Sequence, residues 1–256
     1  MTISGHKTRP VFDRSDIVSG ADIREAGAIR GPTGCHPVGR ACIHRLRVGR
    51  TVESTQRFDQ AASTWDEDLA RVGLARAVAE HILQRLGQMS NMDVLDFGCG
   101  TGLLTLALQP YVRSVTGTDS SAGMLGVLER KARALGLESV RPYLLDDAHP
   151  LASAGSFDLI SSSMTLHHVR DLPALFSAFR SLLRAGGRVA LADLDREDGT
   201  FHKPGITDVH HLGFERGDVR ELLSAAGFNG LQDETAFLHR RNDREYPVFL
   251  ITGRVR

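Results

Sequence analysis

The sequence predicts an α/β fold: a mostly parallel sheet with helices on both faces, finished by an antiparallel pair of strands. Three observations carry that expectation. The stretch Val94–Thr105 passes from a short apolar run into three glycines at alternate positions, Gly98, Gly100 and Gly102, and then into an apolar helical pattern that Pro110 ends. Ser114–Asp119 reads as a second strand ending in a carboxylate, 21 residues after Gly98, the separation at which a βαβ unit delivers an acid to ribose hydroxyls. Leu231–His239 and Tyr246–Gly253 read as two strands joined by the charged turn Arg240–Glu245, a connection too short for a parallel crossover.

The elements follow in order. Residues 1–55 carry nine Lys/Arg against five Asp/Glu and no sustained helix or strand period, which predicts a flexible or poorly ordered extension. Cys35, His36, Cys42 and His44 match no common zinc spacing, so no metal is expected. From Asp66 the positions Leu69, Val72, Ala75, Val78, Ile82 and Leu86 follow helical spacing up to Gly87. After Asp119 a helix is expected from Ser120 to Leu135, then a third strand, Tyr143–Ala148, ending in Asp146 and Asp147. Phe157–Met164 reads as a fourth strand, Leu172–Arg184 as a helix, and Arg188–Asp193 as a fifth strand after Ala185-Gly186-Gly187. Residues 194–215 form an insertion on the substrate side, and a helix from Arg216 to Ala226 precedes the final strands.

Composition narrows the partners. Lys+Arg and Asp+Glu balance at 31 each, so the chain lacks the overall basic footprint of a nucleic-acid binder. No apolar run approaches the ~20 residues that cross a bilayer, and Met1–Gly20 lacks the core of a signal peptide. Three cysteines, one of them within the glycine turn, fit a reducing compartment; a cytoplasmic monomer or homodimer is expected.

The glycine turn also speaks to the ligand. Strand, glycine turn and helix bring backbone close to a ligand and aim a helix N-terminus at it. A dinucleotide fingerprint needs a glycine where this chain has Leu103, and Asp96 would repel a pyrophosphate. A carboxylate there suits a ligand with positive charge and no phosphate, and S-adenosylmethionine has that chemistry.

Asp96-x-Gly98-x-Gly100-x-Gly102 resembles the first motif of the class I S-adenosylmethionine-dependent methyltransferases, and the resemblance runs from about Phe58 to the end of the chain. It implies a Rossmann-like seven-stranded mixed sheet, the last strand antiparallel, with helices on both faces, and an enzyme that methylates a small molecule. It implies that Asp96, Gly98, Cys99, Gly100, Thr101 and Gly102 hold the methionine end of S-adenosylmethionine, and that Asp119 and Ser120 hold the ribose. Met124, Asp147 and Ala148 match the family's adenine contacts, and Ser163 and His168 the methionine side. The pattern Phe58-Asp59-x-x-Ala-x-x-Trp65-Asp66 resembles the family's N-terminal lid, placing residues 56–90 over the cofactor; packing of Phe58 and Trp65 onto the core is the alternative.

The fourth-strand exit, Ser161-Ser162-Ser163-Met164 followed by Leu166-His167-His168, lacks the Asn/Asp-Pro-Pro-aromatic motif of enzymes that methylate exocyclic amines. It resembles the small-molecule branch that includes quinone methyltransferases. His167 and, from the insertion, His210 are candidate catalytic imidazoles, able to take a proton from a hydroxyl or amine. For His167 a structural hydrogen bond that fixes the loop is the competing role. Three other functions remain in view: a cofactor-binding regulator without transfer activity, a dinucleotide oxidoreductase disfavoured by Leu103 and Asp96, and RNA or protein methylation.

Overall fold

The computed structural model describes residues 52–203, 205–241 and 243–255. The expected extension and its Cys/His pairs therefore lie outside the described residues, except that the first described helix, α1 (Val52–Ala61), begins inside the 1–55 stretch. A short 3₁₀ turn leads to α2 (Leu69–Leu86), whose N-terminus is capped by Asp68 accepting from the Ala70 N–H. The core alternation is β1 (Asp93–Phe97), α3 (Leu103–Leu108), β2 (Ser114–Asp119), α4 (Ala122–Ala134), β3 (Val140–Leu144), β4 (Phe157–Ser163), α5 (Leu172–Leu182) and β5 (Leu183–Leu194). It ends with α6 (Arg216–Ala225), β6 (Phe228–Arg241) and β7 (Arg244–Val255).

The strands form one seven-stranded sheet in the order β3-β2-β1-β4-β5-β7-β6. β1 to β5 pair in parallel, and β7 is antiparallel to both β5 and β6. Alternation along the strands explains the two layers. Leu95, Ile160, Val189, Leu191, Phe249 and Ile251 face α5 and α6, while Val94, Leu159, Ala190, Ala192, Val248 and Leu250 face α2 and α3. Strand order reverses about β1 and β4, and the crevice at their carboxyl ends is where an open α/β sheet takes a ligand.

Several expected boundaries move: β5 begins at Leu183 rather than Arg188, and Arg240, Arg241, Arg244 and Glu245 of the expected turn are paired in β6 and β7. α5 stops at Leu182, because Leu183 already pairs with Phe157 in the sheet. β3 spans Val140–Leu144 rather than running to Ala148. Beyond it Asp146 closes a local turn, accepting from the Ala148 and His149 N–H groups at 2.9 and 2.7 Å, a bonding mode that draws Asp out of a strand. Among the described residues no helix is long and apolar enough to cross a membrane.

Candidate active site

A cavity of about 720 Å³ opens at the carboxyl ends of β1, β2 and β4 and is lined as well by α1, α2, residues of the 194–215 segment and the end of β6. Its floor is the glycine turn. The Gly98 and Cys99 N–H groups donate to the Thr118 carbonyl at 2.8 and 2.9 Å, which folds the turn back over β2. Gly98 has φ +70°, and a Cβ there would stand 2.2 Å from Thr165. A side chain is thus excluded by conformation and by space together. Gly102, at φ +83°, starts α3, and a Cβ on it would meet Leu128 at 2.3 Å.

Acids frame this floor. Asp96 is 1% exposed and accepts from Thr105 Oγ1 at 2.6 Å and Ser161 Oγ at 3.2 Å. Burial pushes its pKa up to about 6, with a smaller upward push from Asp119 opposed by those hydroxyls. Asp119 is oriented by two backbone donors, Gly100 N–H at 3.0 Å and Ser121 N–H at 2.9 Å. Met124 and Ser163 also line the cavity, and the Ser163 hydroxyl is buried with no hydrogen-bond partner among the described residues. A polar atom left unpaired at a cavity wall, beside glycines with no side chain to fill the space, fits a ligand that brings its own polar groups.

The expected residues do not all converge. Asp96, Gly98, Cys99, Gly100, Thr101, Asp119, Met124, Ser163, His167 and His168 line the cavity; Gly102, Ser120, Asp147, Ala148 and His210 do not. Asp147 and Ala148 sit exposed in the turn after β3. His210 is not buried either, its pKa lowered by partial desolvation and by Arg170, and it joins the site through its backbone. The His210 and His211 N–H groups donate to the His167 carbonyl at 2.9 and 3.2 Å. Among the described residues no group of three or more side chains could hold a metal ion.

Sequence reasoning missed the partners. His167, 1% exposed, contacts Asp193 Oδ1 through Nδ1 at 2.6 Å, and its N–H reaches the other oxygen at 3.3 Å. Asp193 is completely buried near the end of β5. His168 donates from Nδ1 to the Asp208 carbonyl at 2.8 Å and meets the Phe58 ring edge-on. Arg57 grips the buried Asp208 carboxylate with bonds of 2.7 and 2.8 Å. Asp59 accepts from Ser121 Oγ and the Gly123 N–H, and Asp66 from Thr101 Oγ1 and Lys131, so these two acids tie residues 59–66 to the glycine turn and α4. Met164 carries a positive φ of 56° where β4 leaves the sheet, a conformation a non-glycine residue holds only when its surroundings enforce it. No pattern in the chain announces that kink, whereas the acids of the F-D-x-x-A-x-x-W-D stretch were visible as residues without visible partners.

Residues 71–233 match the family model of the methyltransferase domain. The chain belongs to the methyltransferase-domain family. This methyltransferase-domain chain is 30% identical over 192 residues to an uncharacterized methyltransferase of Schizosaccharomyces pombe, covering 68% of this chain and 62% of the relative. It is 34% identical over 137 residues to the nocamycin O-methyltransferase of Saccharothrix syringae, covering 52% and 48%. The chain thus spans about half to two thirds of the length of these relatives. In fold it is similar to the magnesium protoporphyrin IX methyltransferase of Synechocystis PCC 6803, solved with bound SAH. That likeness has a TM-score of 0.56 at 18% identity, over 84% of this chain and 93% of that one.

Proposed function

We propose that the protein transfers a methyl group from S-adenosylmethionine to a small-molecule acceptor, with His167 as the proton acceptor. The observation that carries this reading is the buried His167–Asp193 pair on the wall of the same cavity that holds the glycine turn. Bound S-adenosylmethionine supplies a methyl group activated on a sulfonium. Asp96 would face its positive end, Asp119 its ribose hydroxyls, and the turn from Gly98 to Thr101 its chain; Ser163 and His168 lie on the same wall.

Asp193 does three things for His167. It accepts a hydrogen bond from Nδ1–H, so the basic lone pair sits on Nε2; it fixes the ring; and it stabilises the imidazolium once a proton arrives. His167 Nε2 has no hydrogen bond among the described residues, and the side chain lines the cavity. A hydroxyl is the acceptor such a base serves best, since an alcohol or phenol loses its proton as it gains the methyl. The nocamycin relative, named for O-methylation, supports that choice. The lid role of residues 56–90 is supported by the Phe58–His168 contact and the Arg57–Asp208 pair. The balance of 31 Lys+Arg against 31 Asp+Glu supports a small-molecule acceptor over a nucleic acid.

Calorimetry tests the reading. Both S-adenosylmethionine and S-adenosylhomocysteine bind the wild type, and Asp119→Ala weakens each by about 1–3 kcal/mol, the worth of hydrogen bonds to a charged group. Binding of an adenine dinucleotide with neither of these ligands would overturn it.

A further inference from the structure

The wall of the cavity changes sign from one side to the other. The side of the glycine turn carries Asp96 and Asp119. The side built by α2, the 194–215 segment and the end of β6 carries Arg71, Lys203, Arg240 and Arg241 against one acid, Asp68. Some of this charge is already matched: Arg240 pairs with Glu245 at 2.8 Å, and Arg57 is taken up by Asp208. The other cations are less well matched. Arg71 lies on the face of Trp65, 3.8 Å from the ring centroid, gives one N–H to the Trp65 carbonyl at 3.1 Å, and among the described residues has only the half-exposed Asp68, at 3.4 Å, as paired counter-charge. Arg241 gives one N–H to the Phe201 carbonyl and makes no ion pair among the described residues; exposed Lys203 makes none either.

His239 stands in the same group, its Nδ1 buried without a hydrogen-bond partner among the described residues. All three line the one cavity, and Phe201, whose ring meets His239 at 5.2 Å, gives its carbonyl to the Arg241 N–H. Burial lowers the pKa of both Arg71 and His239, and the charge of Arg241 lowers both further. Asp68 opposes that trend at both. Asp66, the other acid near Arg71, is engaged by Lys131 and Thr101. The group also lies at a defined remove from the proposed base. His167, His202, Phe201 and His239 follow one another at ring-centroid spacings of 5.1, 5.0 and 5.2 Å.

We propose that Arg241, Arg71 and Lys203, with His239 beside them, form an oxyanion subsite, so that the methyl acceptor carries a carboxylate or phosphate remote from the methylated atom. The inference rests on the methyl-transfer reading and extends it to a substrate class. Partly buried cations short of counter-charge are costly unless an anion completes them. Two guanidinium groups present the forked donors that a planar carboxylate or a phosphate accepts in pairs. The competing source of such an anion is the carboxylate of the cofactor itself, and the test separates the two.

Protein labelled with ¹⁵N, free and saturated with S-adenosylhomocysteine, is titrated with sodium acetate and with sodium phosphate at constant ionic strength. Sodium chloride is the reference, and the arginine Nε signals, assigned from Arg71→Gln and Arg241→Gln, are followed. In the saturated protein both signals shift in a saturable way that chloride does not reproduce. Arg241→Gln weakens the apparent affinity about 10-fold, as for one lost charge-assisted contact, and Lys203→Gln weakens it less. Both variants keep the wild-type affinity for S-adenosylhomocysteine. The tighter of acetate and phosphate names the acceptor's anionic group. A response seen only in the free protein assigns the subsite to the cofactor's carboxylate and overturns the acceptor class. No saturable response in either form overturns the subsite. Failure of S-adenosylhomocysteine to bind sinks the methyl-transfer reading instead, and the titration of the free protein then still decides whether the subsite exists.

Discussion

The two halves of the cavity are built by opposite means. On the cofactor side the shape is a backbone shape. Gly98 and Cys99 donate to Thr118, and Gly100 and Ser121 donate to Asp119, all within one βαβ unit. On the acceptor side the shape is made of side-chain pairs between distant segments. His167 meets Asp193 across 26 residues, and Arg57 meets Asp208 across 151. A backbone cradle tolerates little change, because its geometry is that of the strand and helix it joins. A wall of side-chain pairs can be rewritten one pair at a time without disturbing the sheet beneath it. On the proposed reading the molecule keeps the constant reagent on the rigid side and the variable one on the editable side.

That contrast can be broken at several points, beginning with the largest expected effect. His167→Asn removes the proposed base while leaving the glycine turn intact. With an acceptor in hand, kcat should fall on the order of 10²–10⁴-fold while calorimetric affinity for S-adenosylhomocysteine stays within error of wild type. Loss of both together would mean that His167 serves the fold rather than the chemistry.

Gly98→Ala strikes the other half. A Cβ there stands 2.2 Å from Thr165 on a residue already at positive φ, so strain and overpacking together should cost about 2–5 kcal/mol of stability by denaturant unfolding. Cofactor binding should go with it. A Gly98→Ala variant as stable as wild type would show that the turn is softer than its contacts imply.

Arg57→Gln leaves the buried Asp208 carboxylate without the guanidinium nitrogen that bridges its two oxygens, a loss of about 1–3 kcal/mol. The contrast predicts that it raises the KM for the acceptor more than that for S-adenosylmethionine. Equal effects on both would make the lid a shared wall.

The smallest effect is a pH dependence. Asp96 has its pKa raised by burial to about 6 from an unfolded value of about 4, so its neutral form is the one the fold favours. Its contribution to stability is full below about pH 4 and is lost as pH rises through about 6. The difference in Tm between wild type and Asp96→Asn should therefore shift against wild type across that window. A bound cation reverses the preference, so S-adenosylmethionine should bind wild type more tightly as pH rises over the same range. A flat difference would place the ionised carboxylate in the free protein.

Much of the fold was legible because its signals are local. Val94–Phe97 before Gly98, the acid at Asp119, and the close spacing of β6 and β7 each announce themselves within a few residues. Of the residues expected at the cofactor, those of the glycine turn from Asp96 to Thr101 line the cavity with Asp119 and Met124, while Gly102 and Ser120 do not. After β3, Asp146 turns the chain so that Asp147 and Ala148 stay outside it. The acceptor side was legible only as residue types. His167 was visible as an imidazole, but nothing near it in sequence names Asp193 as its partner. The sequence offers His210 as an imidazole, whereas its N–H is what reaches His167. Long-range pairing is decided by the sheet, and the order β4-β5-β7 brings those segments together only once the strands are in place.

The two N–H groups that His210 and His211 give to the His167 carbonyl have a consequence for engineering. The segment proposed to shape acceptor choice is stitched to the backbone of the residue proposed to take the proton. A loop graft that imports the 194–215 stretch from a relative therefore also resets the aim of the imidazole. Acceptor range and turnover will change together in such chimaeras unless residues 165–169 travel with the loop.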